Sequence, residues 1–562
     1  MNTYKKLYSE TLYRVFNDAL DRETIEAHIE KPKQEAHGDL AFPCFSLARA
    51  YKKAPQQIAA EAARQLSDSA FAKFEANGPY LNAFIDRNKA SQTIIHEVLE
   101  KGNAFGDQSE GVGKTITFDL SAPNIAKPFS MGHLRSTVVG NAIANLAEKC
   151  GYHTVRINYI GDWGTQFGKQ IAAYKKWGDK SKVLANPIEE LFKLYTRFHE
   201  EADQNPALND EGRLWFKKLE DGDDEAVQLW RWFREVSLKA FDKIYRLLGV
   251  QFDSMNGESF YNDKMDAVVQ ELEAKGLLVE SEGAMVVRLD DEDLPPCLIM
   301  KKDGATLYAT RDLASAIYRK QTYHFDQALY VVGNEQSLHF AQLKWVLEKM
   351  GYEWAKDIEH VPFGMVLKDG KKMSTRKGKV VLLEDVLKNI IERAKTSILE
   401  KNPDLAQKDE VATQVGVGAV IYHDLKHYRI NDVEFSLDDM LRFEGNTGPY
   451  LQYTHARAFS ILRKAGAVND YELSGMTDDR SWQVVTAIAA FPDDIRLAFK
   501  DRNPAQIAKS LFRVAQSFNQ YYAHERILGA DDQSAKCALT QAVVVVIKEG
   551  LRILGIQAPE EM

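Results

Sequence analysis

The sequence predicts a parallel α/β domain enlarged by a helical insertion, with a small α+β unit before it and an all-α bundle after it. Three observations carry this. A strand, a helix and a second strand follow one another within about 45 residues of Lys114, the pattern of a right-handed βαβ unit with parallel strands. The same rhythm returns at 328–332 and 338–350, after a long charged helical stretch. From about residue 411 onward the pattern is helical, with amphipathic segments at 448–465, 481–500, 504–524 and 534–554, typical of a bundle.

The elements follow in chain order. In residues 1–106, helical patterns at 3–19 and 55–66 alternate with strand-like runs such as Gly78-Pro-Tyr-Leu-Asn-Ala-Phe-Ile-Asp86, and a helix at 89–100 closes the unit. The stretch 102–113 is rich in Gly and polar residues and reads as a linker. Residues 114–120 are a β-rich strand, 121–132 a loop with Pro and Gly, and 133–150 a helix with Leu134, Val138, Ile143, Leu146 and Ala147 near one side. The second strand is 154–159. From about 165 to 300 the pattern is long, charged and helical, with Trp215, Trp230 and Trp232 interleaved, and is read as an insertion. His360-Val-Pro-Phe-Gly-Met-Val-Leu367 is a further strand-like piece. The expected domains are therefore 1–106, 112–415 and 416–562.

Composition bounds the function. The 562 residues carry 72 Lys and Arg against 81 Asp and Glu, a net charge of −9, with 45% hydrophobic and 27% charged residues. This is globular composition and argues against long disorder. An acidic balance does not exclude nucleic acid, because affinity depends on local phosphate contacts within a Debye length of about 8–10 Å. Cys44, Cys150, Cys297 and Cys537 are scattered, so neither a disulfide framework nor a structural zinc site is expected, and a reducing, cytoplasmic setting fits. The start, MNTYKKLYSETLYRVF, has no apolar core for a secretory signal. The most apolar run, 542–547, is far too short to span a bilayer, so no membrane association is expected.

Three features read as structural. His423 and His427 stand at i, i+4, and a hydrogen-bonded helix face is preferred over a metal site. Gly111-Val-Gly-Lys-Thr115 lacks the leading Gly of a phosphate-binding loop and precedes a strand rather than a helix. The acidic run 220–225 has no spaced ligand pattern and reads as a solvated connection.

Two elements carry chemistry. Pro123-Asn-Ile-Ala-Lys-Pro-Phe-Ser-Met-Gly-His133 joins the first strand to the first helix, where backbone N–H groups and the helix dipole of an α/β sheet face a nucleotide. Gly132 leaves room for a flat ring or phosphate, and His133 adds an imidazole at the anion site. About 240 residues later, Gly370-Lys-Lys-Met-Ser-Thr-Arg-Lys-Gly-Lys379 places five cations in ten residues, suited to closing on a polyphosphate. Either alone is weak; the pair is specific.

Together they resemble the paired ATP signatures of class I aminoacyl-tRNA synthetases with a Rossmann-like catalytic domain. The surrounding residues are similar to the arginyl-tRNA synthetase family: Ser121-Ala-Pro-Asn-Ile-Ala-Lys-Pro with Met131-Gly-His-Leu-Arg-Ser-Thr137, Asn158-Tyr-Ile-Gly-Asp-Trp-Gly-Thr-Gln-Phe-Gly168, Leu307-Tyr-Ala-Thr-Arg-Asp-Leu313, and Gly364-Met-Val through Met373-Ser-Thr-Arg-Lys-Gly378. Asn446-Thr-Gly-Pro-Tyr-Leu-Gln-Tyr-Thr-His-Ala-Arg457, Leu554-Gly-Ile-Gln-Ala-Pro559, Gly38-Asp-Leu-Ala-Phe-Pro43 and Gly78-Pro-Tyr-Leu-Asn82 extend the likeness over essentially the whole chain.

The resemblance implies an arginine–tRNA ligase. Arginine would attack the α-phosphate of ATP, giving arginyl-adenylate and pyrophosphate, and the 2′-OH of the terminal adenosine of tRNA(Arg) would then take the arginyl group. It implies ATP and Mg²⁺, and catalytic roles for His133, Lys127 and Lys372. ATP contacts would come from Ser130, Gly132, His133, Met373, Ser374, Arg376 and Lys377. A guanidinium pocket needs carboxylates in a bidentate-capable arrangement. The family implies Asp312 and Glu258 for it, flanked by Tyr308 and Gln336, with Asn124 on the amino-acid backbone and Asp119 on the α-ammonium. Tyr450 and Tyr453 are candidate stacking platforms for anticodon bases or, equally, helix-face aromatics of the bundle; the N-terminal domain is implied as a contact for the tRNA elbow, and a monomer is expected. The class signature His-x-Gly-His has Ser130 at its first His, and the second Lys of Lys-Met-Ser-Lys is Thr375. Lys127, Arg376 and Lys377 compete to supply the missing charge. The rival readings are another adenylyl-transferring enzyme on the same sheet, and an RNA-binding paralogue without catalysis. The acidic pair argues against the first, and survival of Gly132, His133 and the Lys-Met-Ser loop against the second.

Overall fold

The computed structural model describes residues 2–301, 308–373, 382–466 and 471–562, without the side chains of Asn2, Glu35 and Lys372. The N-terminal unit is a three-stranded antiparallel sheet in the order Leu40–Pro43, Tyr80–Ile85, Phe71–Asn77. The helices Asn2–Phe16 and Pro55–Gln65 cover it, burying Tyr8, Phe42 and Leu81, and the Tyr8 hydroxyl donates to the Leu81 carbonyl at 2.7 Å. Asp86 caps the helix Arg87–Lys101. That helix meets the C-terminal bundle through Ser91, which donates to the Met476 carbonyl at 3.0 Å, and through an Arg87–Asp479 ion pair of 2.7 Å.

The central sheet has four parallel strands in the order Ile358–His360, Gln327–Tyr330, Thr115–Asp119, His153–Ile157. From Thr115–Asp119 the chain crosses through the helix Met131–Lys149 to His153–Ile157 on one side. It returns only at Gln327–Tyr330, on the other side. The two directions diverge at the carboxyl end of Thr115–Asp119, the topological switch point where open α/β sheets bind ligands.

The insertion is helical over Thr165–Trp177, Lys180–Ala185, Pro187–Gln204, Ala207–Glu220, Asp224–Leu248 and Met265–Ala274. It is not helical throughout, as the sequence reading expected. Leu278–Ser281, Ala284–Val287 and Cys297–Met300 form an antiparallel sheet. Its tight turn has positive φ at both Glu282 and Gly283, which favours a hairpin over a helix. The strand-like run 360–367 is also divided. Ile358–His360 belongs to the main sheet, whereas Val366–Lys368 pairs with Lys371–Lys372 and with Val433–Glu434.

The C-terminal bundle comprises Gly448–Ala465, Asp479–Ala489, Phe491–Lys500, Ala505–His524 and Gln533–Ile553. The expected helix 481–500 is two helices, broken at Ala490, because Pro492 has no N–H to bond back to the Ile488 carbonyl and is accommodated in the first turn of the second helix. The helix Lys408–Leu425 runs unbroken across the expected boundary at 415/416. Among the described residues, no helix is long and apolar enough to cross a membrane.

His423 on that helix donates from Nε2 to the Glu434 carbonyl at 2.9 Å, and its buried Nδ1 has no partner among the described residues. Burial pushes it down to about 4, with Lys426 and His427 adding repulsion. The folded value lies below the unfolded one of about 6.5, so the unfolded chain binds the extra proton. The associated stability is complete above pH 6.5 and is lost as pH falls towards 4. Urea midpoints at pH 7.5 and pH 5 should therefore differ more in the wild type than in His423→Gln. Equal differences would remove His423 as a cause.

Candidate active site

The loop after Thr115–Asp119 holds three non-glycine residues at positive φ: Ser121, Ala122 and Ala126. Such strain persists only where the surroundings over-determine it. Here the Ser121 N–H donates to Ser136 Oγ at 2.8 Å, and the Ala122 N–H donates to Asn158 Oδ1 at 3.2 Å. The Ala126 N–H donates to Ser237 Oγ at 3.0 Å. Tyr245, from the insertion, joins Ser121 and Asn158 through its hydroxyl at 2.8 and 2.9 Å. Asn124 packs so tightly on Gly161 that a Cβ there would stand 2.1 Å from Asn124 Oδ1. Only glycine lets the two strand ends approach.

A cleft of about 930 Å³ opens at the switch point. Ser130, Gly132 and His133 line one side, Gly333 and Gln336 another, and Gly364, Val366 and Met373 a third. A Cβ at Gly132 would meet nothing nearer than Ser130 Oγ at 3.6 Å, so this glycine leaves open space rather than serving internal packing. The Ser130 N–H donates to His133 Nδ1 at 3.0 Å. That bond assigns the imidazole proton to Nε2. Burial and the neighbouring Lys127 push His133 down to about 4, so it is a neutral donor near pH 7. Lys127 is half-buried, 3.4 Å from Gln166 Oε1 and 5.1 Å from the centre of the Tyr195 ring. Burial lowers its pKa.

Lys372 lies on the short strand Lys371–Lys372, whose hairpin with Val366–Lys368 carries Met373 to the edge of the cleft. Ser374, Arg376 and Lys377 lie outside the described residues.

The acidic half of the site is built by three elements. On the helix Tyr308–Tyr323, Asp312 accepts from the Tyr159 hydroxyl at 3.0 Å on Oδ1 and from His339 Nε2 at 2.6 Å on Oδ2. Glu258 opens the turn Glu258–Lys264, and burial pushes its carboxyl up to about 7, with Arg311 opposing and Asp312 and Asp162 adding repulsion. Fully buried Asp162 anchors this turn by accepting from the Ser259 N–H at 2.8 Å and the Ser259 hydroxyl at 2.9 Å, while Arg234 pairs with it at 2.8 Å.

Asp119 is the residue expected at an α-ammonium. Its carboxylate is only 4% exposed and is ion-paired at 2.7 Å with buried Arg319. Tyr308, expected beside the substrate side chain, stands 66% exposed at its helix start, and Gln336 is exposed at the cleft wall. In the bundle, the Tyr450 hydroxyl accepts from Asn519 at 3.0 Å and its ring packs on Phe512. Tyr453 carries the Arg457 guanidinium 4.7 Å from its ring centre.

Sequence reasoning missed Tyr159, His339, Arg319, Arg135 and Tyr245. Tyr159 and Arg135 lie inside motifs already singled out. For His339, the one available signal was its spacing three residues after Gln336, which places both on one helix face.

Comparison with known proteins identifies the family and the fold. The model for class I (R) tRNA synthetases, catalytic domain, matches residues 94–437, that for the arginyl-tRNA synthetase N-terminal domain 2–85, and that for the DALR anticodon-binding domain 451–562. An arginine–tRNA ligase of an Exiguobacterium species is 60% identical over 561 residues, covering 100% of both chains. Arginine–tRNA ligase 2 of Bacillus anthracis is 57% identical, again over 100% of both. Among solved structures, the Thermus thermophilus arginyl-tRNA synthetase superposes with a TM-score of 0.80 at 23% identity, covering 99% of this chain and 100% of that one. With the parallel sheet, the switch-point cleft and these full-length likenesses in place, the chain belongs to the arginyl-tRNA synthetase family of class I aminoacyl-tRNA synthetases.

Proposed function

We propose that this chain ligates arginine to tRNA(Arg) with the site residues divided as follows. ATP lies in the switch-point cleft, over Gly132 and against the start of the helix Met131–Lys149, whose dipole favours the phosphates. His133 donates from Nε2 to the nucleotide, and Ser130 sets its tautomer. Lys127, Lys372, Arg376 and Lys377 supply positive charge to the β- and γ-phosphates, with Ser374 and Met373 in the closing loop. Arginine places its guanidinium on Asp312 and Glu258 and its backbone end near Asn124, and Tyr308 and Gln336 close beside it. The α-carboxylate of arginine then attacks the α-phosphorus in line as the bond to pyrophosphate breaks, so positioning and charge neutralisation dominate the catalysis. One observation carries this reading: the Asp312 carboxylate is held on both oxygens, on one of them by His339, which stands three residues beyond Gln336 of the cleft wall.

Mg²⁺ fits as a companion of the nucleotide phosphates. No group of three ligating side chains occurs among the described residues, and this ion commonly keeps its waters and uses few protein ligands. The chain's own residues would then bind and orient the Mg²⁺-bound phosphates. The N-terminal unit is assigned to the tRNA elbow and the bundle to the anticodon, with Tyr453 and Arg457 as the stacking pair. Tyr450, engaged on both ring and hydroxyl, is assigned to packing instead. The catalytic unit is taken to end near 437, beyond the continuous helix Lys408–Leu425. A cytoplasmic monomer is the expected form.

Substituting His133→Ala should lower arginine-dependent ATP–pyrophosphate exchange, measured with tRNA present, by about 10²-fold, as loss of one preorganised donor does. Unchanged exchange would remove His133 from the reaction. An exchange panel over other amino acids tests the substrate class, and activity with one of them but not with arginine would sink the proposal.

A further inference from the structure

Asp312 is held in a way the proposed arginine pocket does not itself require. An ionised carboxylate has about four lone-pair sites. The Tyr159 hydroxyl occupies one on Oδ1 and the His339 imidazole one on Oδ2, at 3.0 and 2.6 Å. Among the described residues these are its partners, which leaves one site on each oxygen, the pair a planar guanidinium fork uses. His339 and Asp312 are each about three-quarters buried, so their pair is shielded yet not closed to solvent.

We propose that His339 is a specificity-determining residue that orients the Asp312 carboxylate and acts as its resident counter-ion, so that arginine binding displaces a proton from the imidazole. This rests on the arginine-pocket reading above. With His339 protonated, the pair is neutral as a whole and the imidazolium repels an incoming guanidinium. With His339 neutral, Nε2–H still donates and the full carboxylate charge is available to the ligand. The displaced proton passes to solvent, and no other bond changes. The groups facing this pair are Asp312 and Arg311 from the helix Tyr308–Tyr323, Tyr159 from the strand end, and Glu258 from its turn. Cys297, His360, Asp119 and Tyr330 also act on it electrostatically. Burial pulls the imidazole pKa down, but the hydrogen bond and charge of Asp312 outweigh it, and the net shift is upward. Arginine affinity should accordingly rise with pH through that raised value and level off above it, by up to about tenfold per pH unit on the rising limb.

Glu258 can also release a proton when arginine binds, so the experiment separates the two. Arginine is titrated calorimetrically into the full chain with saturating tRNA(Arg), at pH 7, in buffers of different ionisation enthalpy. The wild type should release more protons per arginine than His339→Gln, which keeps an N–H donor but cannot hold the proton. Equal release overturns the inference. Because His339→Gln could misfold, the same titration is made on Glu258→Gln with His339 intact. Arginine should still release protons there, and release falling to zero overturns the inference. Arginine binding to the wild type with no net proton release defeats the inference alone. Absence of arginine binding defeats the pocket reading and the inference with it.

Discussion

Replacing Asp312 by Asn should lower kcat/KM for arginine by about 10²–10⁴-fold while leaving KM for ATP nearly unchanged. The magnitude follows from removing one partner of a partly buried ion pair, which costs about 3–5 kcal/mol because the other charge is left uncompensated. Here that other charge is the proposed substrate's own guanidinium. Asn keeps the shape and can still bond Tyr159 and His339, so the loss reports charge rather than folding. Aminoacylation at varied arginine, with ATP and tRNA saturating, measures it. A loss below tenfold would move guanidinium recognition to Glu258. The same variant should lose discrimination against citrulline, a neutral isostere, because the amide no longer rewards positive charge.

The second large effect is expected on stability. Arg135 is fully buried within the helix Met131–Lys149 and pairs with Asp424 at 3.0 Å. It also donates to the carbonyls of Met365, Arg429 and Asn431 at 3.0–3.4 Å. One guanidinium thus joins the first signature helix, the base of the Lys-Met-Ser hairpin and the helix Lys408–Leu425. Arg135→Met should destabilise the first unfolding transition by about 3–5 kcal/mol, since it strands the Asp424 carboxylate in an apolar setting. Adding Asp424→Asn should restore part of that loss, because the stranded charge is then gone. A urea midpoint unchanged in Arg135→Met would show that water reaches Asp424. The surviving folded fraction should show a raised KM for ATP, because the hairpin base is no longer fixed to the helix that receives the phosphates.

Much of the site was legible because it is local. The loop 121–132, the Gly-His helix start and the Lys-Met-Ser run are contiguous, and their residue types announce phosphate chemistry without any knowledge of the fold. Asp312 and Glu258 were reachable only through family resemblance, since an isolated acidic residue on a helix or turn is ordinarily a solvated one. The elements most misread were those whose fate depends on partners. The pattern 278–300 became strands because the turn at Glu282 and Gly283 favoured pairing, and 360–367 was divided between two sheets. Asp119 shows the same limit within the site. Its position at a strand end was legible, but its charge is committed to Arg319, some 200 residues away in sequence.

By itself, then, the sequence determined the family, the order of the three units and the two phosphate-facing segments, because these rest on contiguous residues and short-range periodicity. Only the tertiary structure decided which charges are free to meet a ligand. Asp119 is ion-paired with Arg319, His133 is held neutral by burial and Lys127, and Asp312 bonds, among the described residues, only Tyr159 and His339. The physical reason is that the availability of a charge depends on desolvation and on partners brought in from distant parts of the chain, and neither is written in a residue's immediate neighbours.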